Sequence, residues 1–567
     1  MERIWLKSYR PGMATDIDPS TLPSLKHMVE ESFRRFTQRT AFIQMGRLLT
    51  YGQLDQMSRD FAAWLQNVAG LAKGERLAIM LPNLLQYPIA MFGALRAGIV
   101  VVNTNPLYTA PELEHQLRDC GCAAIVVLEN FAHVLEAVLP RTAIRHVITT
   151  TVGELLGFPK SAVVDFVVRR VRKQVPAWHI AGALGFNAVL EAGHALELRE
   201  VDVTHEDIAF LQYTGGTTGV AKGAVLTHGN ICANILQASA WIDPFLPGTE
   251  AGPQYLVTPI PLYHIFALTA NCMLFMRLGW TNVLITNPRD LPAFIAELRR
   301  YPFAFLSGVN TLFNALLHHS DFSKIDFGTL KITLGGGMAV QQNVARRWKA
   351  ATGNPLTQAW GLTETSPGAC INLPYTDFNG SIGLPIASTE VSIRDDAGAE
   401  VALGASGELC VRGPQVMRGY WNRPDETALV MLPAGWLRTG DIGHMDEGGF
   451  VYIEDRKKDM ILVSGFNVYP NEVEEAVAAI AGVVEAAAVA QADERSGEVV
   501  AVFVVTKDPA LTERDIINKC RASLTGYKLP RHVYFRSELP KSNVGKILRR
   551  VLRDSLAAEL SGAKPAP

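Results

Sequence analysis

The chain has 567 residues, of which 48% are apolar and 19% are charged, and its formal net charge is −2. Since a single hydrophobic core stops growing at about 250–300 residues, the length predicts more than one folded unit. The small net charge gives no general electrostatic reason to expect a nucleic-acid partner. The sequence also lacks a run of about 18 uncharged apolar residues, so it predicts no membrane-spanning helix.

The N-terminus and the cysteines indicate the compartment. The first residues, MERIWLKSYRPG, lack the apolar centre of a signal peptide. Seven cysteines are scattered along the chain, an odd number that fits reduced thiols. Cys120 and Cys122 are too close together for a C-x-x-C motif and are interpreted as small packing residues. We therefore expect a cytoplasmic protein.

The first 150 residues alternate strand and helix patterns. Arg76–Leu81 predicts a strand, Leu84–Ala97 a helix, Ile99–Asn103 a strand, Pro111–Cys120 a helix that begins with proline, and Ala123–Leu128 a strand. This order is typical of a mostly parallel sheet covered by helices.

A basic helix is predicted at Ser161–Gln174. Its apolar stripe is Val164, Val168, Val171 and Val175, and most of the basic residues, Arg169, Arg170, Arg172 and Lys173, lie elsewhere. An ordinary surface helix with a solvated basic face explains this pattern and is the favoured interpretation. The alternative is peripheral contact with an anionic membrane, here the cytoplasmic face of the inner membrane.

The stretch Tyr213–Gly223, YTGGTTGVAKG, lies between two apolar runs and predicts a phosphate-binding loop. Glycines let backbone N–H groups turn toward a phosphate, threonines add hydroxyl groups, and Lys222 adds a positive charge. The predicted ligands are Tyr213, Thr214, Gly215, Gly216, Thr217, Thr218, Gly219 and Lys222. A flexible hairpin tip is the weaker alternative.

This stretch is not a Walker loop. The Walker pattern places Ser or Thr directly after its lysine, to reach magnesium, whereas Gly223 follows Lys222 here. A magnesium ion must therefore be held elsewhere. Glu364, in WGLTE (Trp360–Glu364), offers the hard oxygen ligand that magnesium prefers.

Further motifs follow predicted strands. Three glycines in LGGGM (Leu334–Met338) let a flat ring approach the backbone closely, and the Trp360 ring before a glycine can stack on such a ring. Asp441 ends GWLRTGD, where a carboxylate at a strand–turn junction can accept both hydroxyls of a ribose. His264 lies among apolar residues in PLYHIFALT. Gly308 ends the predicted strand of YPFAFLSGVN.

The last 109 residues have a pattern of their own, after the charged run Asp455–Asp459. Val473, Ala476, Val477 and Ile480 form a helical stripe, Val483–Ala490 and Val499–Val505 predict strands, and Thr512–Leu524 predicts a capped helix. Lys546 follows a glycine and precedes a basic helix. We expect a small α+β domain.

These motifs, in this order over roughly residues 25–555, resemble the adenylate-forming enzymes, which include acyl-CoA synthetases, luciferases and peptide synthetase adenylation domains. The chain is most similar to the bacterial long-chain fatty acid–CoA ligase branch. That similarity lies in NLLQYP (Asn83–Pro88), NPLYTAPELEHQL (Asn105–Leu117), SGFNVYPNEVEEAV (Ser464–Val477) and a signature at Ala434–Lys458.

The resemblance implies an α/β fold: a large N-terminal domain of several subdomains with mixed sheets, residues 1–457, and a small mobile α+β domain, residues 458–567. It implies that ATP, a fatty acid and coenzyme A are substrates and that Mg²⁺ is a cofactor, bound by Glu364 and Thr214. Lys546 would be the mobile catalytic lysine, His264 would lie beside the reacting carboxylate, and Lys458 would be the hinge.

The remaining roles also come from the resemblance. Gly335, Gly336, Gly337, Trp360, Gly361 and Thr363 would bind adenine and its surroundings. Asp441 and Arg456 would bind the ribose, Arg456 also the phosphate. Gly308 would line the acyl path, and Gly465 and Phe466 the coenzyme A tunnel.

The chain departs from the family pattern at several positions: Gly216 where Ser or Thr is common, Trp360 where Tyr is usual, and Ala434, Arg438 and Met445 where Asn, His and Trp are usual. Other functions considered are adenylation of a medium-chain or aryl acid, transfer to a carrier protein, a luciferase-like oxygenase, and a nucleotide-binding regulator without catalysis. The sequence does not predict chain-length preference or oligomeric state.

Overall fold

The structure is a computed structural model that describes residues 3–215, 221–248, 252–493 and 495–560. Four predicted phosphate ligands, Gly216, Thr217, Thr218 and Gly219, lie outside these ranges.

The strands of the described ranges are numbered in chain order. They are β1 Thr40–Gln44, β2 Arg47–Thr50, β3 Arg76–Met80, β4 Val100–Asn103, β5 Ala124–Leu128, β6 His146–Thr150, β7 Leu184–Gly185, β8 Ile208–Gly215, β9 Ala221–Thr227, β10 Tyr255–Thr258, β11 Thr281–Leu284, β12 Phe303–Gly308, β13 Ile332–Gly335, β14 Leu356–Gly361, β15 Gly368–Ile371, β16 Leu384–Pro385, β17 Glu390–Arg394, β18 Gly407–Arg412, β19 Gly419–Tyr420, β20 Met431–Leu432, β21 Trp436–Met445, β22 Val451–Arg456, β23 Ile461–Val463, β24 Phe466–Val468, β25 Val483–Asp493, β26 Gly497–Thr506 and β27 His532–Phe535.

The α-helices of the same ranges are α1 Leu25–Phe36, α2 Tyr51–Asn67, α3 Gln86–Arg96, α4 Ala110–Cys120, α5 Ala132–Val138, α6 Lys160–Phe166, α7 Phe186–His194, α8 His228–Ile242, α9 Ile265–Ala267, α10 Leu274–Arg277, α11 Leu291–Leu298, α12 Asn310–Leu317, α13 Gln342–Thr352, α14 Pro424–Val430, α15 Pro470–Ala478, α16 Glu513–Cys520 and α17 Arg549–Leu560. A π-helical segment, Leu268–Met273, joins α9 to α10.

Two large, mostly parallel sheets form the core of the N-terminal part. One has the strand order β16-β15-β14-β13-β12-β10-β11-β1-β2, and the other β19-β9-β8-β4-β3-β5-β6-β7. Strands β12, β13 and β14 are parallel and in register, so their carboxyl ends meet at one edge of the sheet. This edge carries the predicted glycine and tryptophan motifs, where open α/β sheets commonly bind ligands.

A third, antiparallel sheet contains β17, β18, β21, β20 and β22, and a fourth contains β24, β23, β26, β25 and β27. Strand β22 pairs with β21, whereas β23 pairs with β24 and β26. The short turn 457–460 therefore connects two different sheets.

The predicted elements of residues 76–128 are confirmed as β3, α3, β4, α4 and β5, and every end lies within two residues of the prediction. In the C-terminal part, α15, β25, β26 and α16 are confirmed, and Thr512 and Asp515 form the predicted capping box. The sequence predicts that the whole phosphate stretch is a loop. In the structure β8 and β9 extend into it from both ends, and Thr214 pairs with Lys222.

The basic segment is shorter and less regular than predicted. Helix α6 ends at Phe166 and continues as a π-helical segment, Val167–Val171. Val164 and Val168 of the predicted valine stripe are half-buried, but Val171, at the end of the wider turn, is exposed, as are Val163 and Phe166.

The C-terminal part packs on the N-terminal part through several hydrogen bonds. Thr311 Oγ1 donates to Gly545 O at 2.8 Å, and Asn314 Nδ2 donates to Val484 O at 3.0 Å. Asn343 Nδ2 donates to Ala478 O at 3.0 Å. The C-terminal part is therefore held against the edge where β12 and β13 end.

Among the described residues no helix is long and apolar enough to cross a bilayer. All seven cysteines lie within the described ranges and are free, buried thiols. This agrees with the interpretation of Cys120 and Cys122 as packing residues, and their sulfur atoms are 3.0 Å apart.

Candidate active site

A pocket of about 1860 Å³ lies between the N-terminal sheets and the C-terminal part. Many of the predicted site residues line it: Tyr213, Thr214, Lys222, His264, Gly336, Gly337, Trp360, Gly361, Thr363, Glu364, Asp441, Arg456, Lys458 and Lys546. The pocket therefore brings together groups that are up to 333 positions apart in the sequence.

Lys546 enters the pocket from the C-terminal part. Its Cε atom lies 3.3 Å from the position that a Cβ on Gly337 would occupy. The turn before it is fixed, because Gly545 has a φ of +85° and its carbonyl accepts the Thr311 hydroxyl. Burial and the charge of Arg456 lower the pKa of Lys546 to about 8, while Asp441 and Glu364 act in the opposite direction.

Asp441 lies on β21 and is only 2% exposed. Arg456, opposite it on β22, places Nε 2.5 Å from Oδ1, and the Trp360 indole N–H donates to Oδ2 at 2.8 Å. Burial raises the pKa of Asp441. The charge of Arg456 opposes this increase, and the hydrogen bond from the Trp360 indole opposes it to a smaller extent. The two donors hold the carboxylate at the pocket wall.

Two glycines beside this carboxylate are required by close packing. A Cβ on Gly361 would lie 1.8 Å from the Pro367 carbonyl oxygen, and Gly337 has a φ of +78° next to Lys546. The wall after β13 and at the end of β14 therefore lacks a Cβ at these two positions, which leaves room for a ring to approach the backbone.

Glu364 follows β14 and lines the pocket. Its Oε1 accepts the Tyr420 hydroxyl at 2.8 Å, and the Met417 N–H donates to its carbonyl at 2.8 Å. Thr214, at the end of β8, lines the same pocket. The described residues contain no cluster of three or more His, Cys, Asp or Glu side chains that could hold a metal alone.

One carboxylate and one hydroxyl fit a magnesium ion that takes its other ligands from substrate phosphates and water. Lys222 lies beside them, with its ammonium 5.3 Å from the centre of the Tyr420 ring and paired with Glu426 of α14. Burial lowers the pKa of Lys222, and Glu364 opposes this effect.

The Tyr213 hydroxyl is bound to another side chain and is therefore not a free donor in the pocket. The hydroxyl donates to Asp119 Oδ2 at 2.6 Å, and Arg423 binds the other oxygen of Asp119 at 2.9 Å. Gly215 ends β8 and pairs with Ala221, so these contacts fix the base of the phosphate stretch.

His264 lies in the pocket wall before α9. Burial, and to a smaller extent the charge of Lys546, lower its pKa to about 3, so the ring is neutral near pH 7. Its Nδ1 accepts the Phe266 N–H at 3.3 Å, which leaves the ring proton on Nε2. The neutral ring can therefore donate one hydrogen bond.

The pocket also has an apolar side. Its lining side chains include Ala238 and Ile242 of α8, Ala270, Leu274, Phe305, Ile371, Ile382 and Ile386. Gly308 and Gly335 lie behind the wall rather than on it, since a Cβ on Gly308 would meet the Phe313 ring at 2.7 Å and one on Gly335 would meet Val340 at 2.9 Å. The apolar side suits an aliphatic or aryl chain.

The turn that contains Lys458 is flanked by a buried ion-pair cluster. Arg549 Nη1 lies 3.0 Å from Asp455 Oδ1, and Arg549 Nη2 lies 2.8 Å from Glu474 Oε2. The Asn471 N–H donates to the second oxygen of Asp455 at 2.7 Å. Burial raises the pKa of both Asp455 and Glu474, and Arg549 opposes this effect.

Gly465 and Phe466 are not brought to the pocket. Phe466, in the C-terminal part, is 56% exposed and stacks on Tyr527 with ring centres 4.8 Å apart. Gly465 forms the tip of the β23–β24 hairpin, with a φ of +86° and open space around it.

The sequence prediction did not include Tyr420, Glu426, Asp455, Arg549 or Asp119. A signal existed for Arg549, which is three residues after Lys546 and begins the basic helix. The charged run before Lys458 contains Asp455. No sequence pattern linked Tyr420 to Glu364, which lie 56 positions apart.

Comparisons with known proteins show the family of the chain. The chain matches the AMP-binding enzyme family over residues 29–421 and the AMP-binding enzyme C-terminal domain over residues 472–546. It is 55% identical to the long-chain-fatty-acid–CoA ligase of Yersinia pestis over 98% of both chains, and 51% identical to that of Haemophilus influenzae over 99% of both.

Solved structures are similar over nearly the whole chain. An anthranilate CoA ligase in complex with anthranoyl-AMP has a TM-score of 0.84 at 25% identity, covering 96% of this chain and 100% of that one. ATP-bound MatB from Rhodopseudomonas palustris has a TM-score of 0.78 at 25% identity, covering 94% and 98%. The chain belongs to the AMP-binding, adenylate-forming enzyme family.

Proposed function

We propose that the pocket carries out both half-reactions of an AMP-forming long-chain fatty acid–CoA ligase. The chain shares 51–55% identity over nearly its full length with ligases of that name, and it is an enzyme of this class. The observation that supports the use of this pocket is that Lys546, from the C-terminal part, reaches the wall that carries Trp360 and Asp441.

The first half-reaction activates an otherwise inert carboxylate. A carboxylate oxygen of the fatty acid attacks the α-phosphorus of ATP, a P–O bond forms, the bond to the β-phosphate oxygen breaks, and pyrophosphate leaves. Negative charge shifts onto phosphate oxygens, so catalysis depends mainly on positioning and on fixed positive charge. Lys546 and Lys222 supply that charge, and the phosphate stretch adds backbone N–H and hydroxyl donors.

The nucleotide is held at the carboxyl ends of β13 and β14. The backbone of Gly336 and Gly337 and the ring of Trp360 take the adenine, with Gly361 and Thr363 beside them, and Gly335 supports this wall from behind. Asp441 accepts the ribose hydroxyls and Arg456 contacts the ribose and phosphate.

His264 orients the fatty acid carboxylate. Its neutral ring carries the proton on Nε2 and so donates one hydrogen bond without neutralising the attacking oxygen. The acyl chain extends along the apolar side of the pocket, and Gly308 supports that wall from behind.

Glu364 and Thr214 would hold Mg²⁺ against the ATP phosphates. When bound, the ion would neutralise phosphate charge during pyrophosphate departure. The Tyr420 hydroxyl holds Glu364 in place, and Lys222 remains free to move from Glu426 to a phosphate.

In the second half-reaction the coenzyme A thiol sulfur attacks the acyl carbon, the C–O bond to AMP breaks, and AMP leaves as the thiol proton goes to solvent. We infer that residues 458–567 rotate as a small domain about Lys458 between the steps, relative to residues 1–457. Lys546 would then leave the pocket, and Gly465 and Phe466 would line the approach of coenzyme A.

We also propose a cytoplasmic location with peripheral contact at the inner membrane. Exposed apolar side chains form a docking patch: Leu48, Phe158, Val163, Phe166 and Val171, which are 50–89% exposed. The β1–β2 hairpin that carries Leu48 lies beside the segment that begins at Phe158, since the Lys160 ammonium donates a hydrogen bond to the Met45 carbonyl.

Exposed basic residues, Arg170, Arg172 and Lys173, adjoin this docking patch. Apolar side chains beside positive charge suit an anionic lipid surface, where long-chain fatty acids are enriched. Arg169 has a different role, since it binds the buried Glu129 at 2.6 Å.

The function is tested by separating the half-reactions. Fatty acid and ATP alone should release pyrophosphate and form acyl-adenylate, and later addition of coenzyme A should give the thioester and AMP. A series of acids from medium-chain through long-chain to aryl distinguishes the acyl specificity. Acyl transfer to a carrier protein but not to coenzyme A, or better turnover of aryl acids, would contradict the proposal.

A further inference from the structure

The Trp360 indole does more than border the nucleotide pocket. Its N–H donates to Asp441 Oδ2 at 2.8 Å, while Arg456 binds Asp441 Oδ1 at 2.5 Å. The three side chains come from β14, β21 and β22, so two separate strands fix a carboxylate on a third. Trp360 is only 8% exposed, which keeps this contact away from solvent.

The two donors leave a defined part of the carboxylate available. An ionised carboxylate accepts about four hydrogen bonds, two on each oxygen. The Arg456 guanidinium occupies one side of Oδ1 as an ion pair, and the Trp360 N–H takes one acceptor site on Oδ2. One site on each oxygen remains, which matches two hydroxyls on adjacent carbon atoms, as in a ribose.

The choice of tryptophan matters for this arrangement. An indole N–H leaves the edge of its ring, so the ring face can border the pocket while the N–H reaches Asp441. A phenylalanine has no such donor, and a tyrosine hydroxyl leaves the far end of its ring. One residue can therefore both border the proposed adenine site and orient the proposed ribose carboxylate.

We propose that Trp360 is a positioning residue for ribose recognition. Its N–H fixes the Asp441 carboxylate so that both ribose hydroxyls are recognised, and it thereby sets the discrimination between ATP and its 2′-deoxy and 3′-deoxy analogues. This inference rests on the proposed role of Asp441 in binding the nucleotide.

The test compares the parent with Trp360→Phe, using ATP, 2′-deoxy-ATP and 3′-deoxy-ATP at saturating fatty acid. We expect KM for ATP to rise about 10-fold, since hydrogen bonds to charged groups are strong, with kcat changed less than about 3-fold. For the deoxynucleotides KM should rise by no more than about 2- to 3-fold. The preference for ATP should therefore fall.

An equal rise in KM for all three nucleotides, or an unchanged preference for ATP, would overturn the inference, because simple loss of packing or stacking affects them alike. Trp360→Tyr should resemble Trp360→Phe and provides a second variant if the first does not fold. Trp348→Phe is the matched control: it removes a buried indole N–H that donates to Thr333 Oγ1 at 3.1 Å, outside the pocket. This control should keep the preference of the parent.

Calorimetric titration with the same three nucleotides, without fatty acid, gives the comparison independently of catalysis. If the parent binds ATP better than the deoxynucleotides and the Trp360→Phe variant keeps this difference, only the proposed role of Trp360 is contradicted. A parent that forms no acyl-adenylate would instead contradict the proposed function.

Discussion

Arg549, the first residue of α17, binds Asp455 of β22 across the turn that contains Lys458, with Nη1 3.0 Å from Oδ1. Asp455 is 1% exposed and also accepts the Asn471 N–H from the C-terminal side. One N-terminal carboxylate thus holds two C-terminal groups. A rotation about Lys458 would separate them, so this contact should favour the conformation in which Lys546 is in the pocket.

The variant Asp455→Asn should therefore slow pyrophosphate release on the order of 10-fold, because conformational coupling energies are commonly 1–3 kcal/mol. Thioester formation from preformed acyl-adenylate should change much less. Asp396→Asn is the control, because it removes an exposed partner of Lys457, and exposed pairs contribute little. Equal loss in both half-reactions would indicate general destabilisation instead.

Local motifs made much of this site predictable. The glycines Gly336 and Gly337 and the carboxylate Glu364 each belong to a short stretch whose chemistry is visible in the sequence, whereas the role of Lys546 is implied only by the family resemblance. Long-range pairs could not be predicted, because they depend on how sheets pack. Trp360 and Asp441 are 81 positions apart, and Asp455 and Arg549 are 94 apart.

The same limit applies to the surface and the fold. The β-α-β order follows from periodicity, whereas the antiparallel pairing of β8 with β9 inside the phosphate stretch does not. The apolar face of the basic segment was predicted on a regular helix. The π-helical turn at Val167–Val171 rotates that face, which valine spacing alone cannot indicate.

Lys546→Ala should slow acyl-adenylate formation on the order of 10²- to 10³-fold, because one preorganised charge next to the reacting phosphate is lost. It should spare thioester formation from preformed acyl-adenylate. Measurement of the two half-reactions separately checks this. Equal loss of both would argue against a role confined to the first step.

The pH dependence of the first step should report the same lysine. The positive form of Lys546 is the useful one, and its pKa is lowered to about 8, so this form is lost as pH rises through that value. We expect kcat/KM for ATP to fall by up to about 10-fold per pH unit above 8. Lys546→Arg, which stays charged, should lose this alkaline limb even if it is slower.

Glu364→Ala should raise the Mg²⁺ concentration needed for half-maximal adenylation and lower the rate at saturation, since the phosphate stretch has no Walker hydroxyl after Lys222. The measurement is a Mg²⁺ titration of pyrophosphate release. Tyr420→Phe removes the hydroxyl that donates to Glu364 but leaves the carboxylate, so it should shift the titration less. An unchanged titration for Glu364→Ala would place the ion elsewhere.

Lys458→Pro should leave adenylation largely intact and block thioester formation, because proline fixes φ near −65° and a hinge there cannot rotate. The hydrogen bond of the turn runs from Asp459 N to Arg456 O and does not use Lys458. Lys458→Ala, which removes only an exposed side chain, is the control and should keep both steps. Survival of both steps in the proline variant would place the pivot at another residue.

The docking patch leads to a prediction about membranes. Replacing Arg170, Arg172 and Lys173 with Gln should weaken sedimentation with anionic vesicles on the order of 100-fold at low salt, since each basic residue contributes about 1 kcal/mol there. The remaining binding should depend less on salt. Phe158→Ser with Phe166→Ser should instead reduce the binding that survives high salt, because these side chains are 89% and 61% exposed.

Arg169 is kept in these variants, because its loss would leave the buried Glu129 unpaired. The resulting loss of stability could then be mistaken for a loss of vesicle binding. The matched control replaces Arg514, Lys519 and Arg521 with Gln, which removes the same charge from exposed positions in and just after α16. This control should bind vesicles as the parent does, and all variants should keep their activity on a soluble short-chain acid. If both basic triples reduce sedimentation equally, binding follows total charge and the segment after Phe158 is an ordinary surface helix.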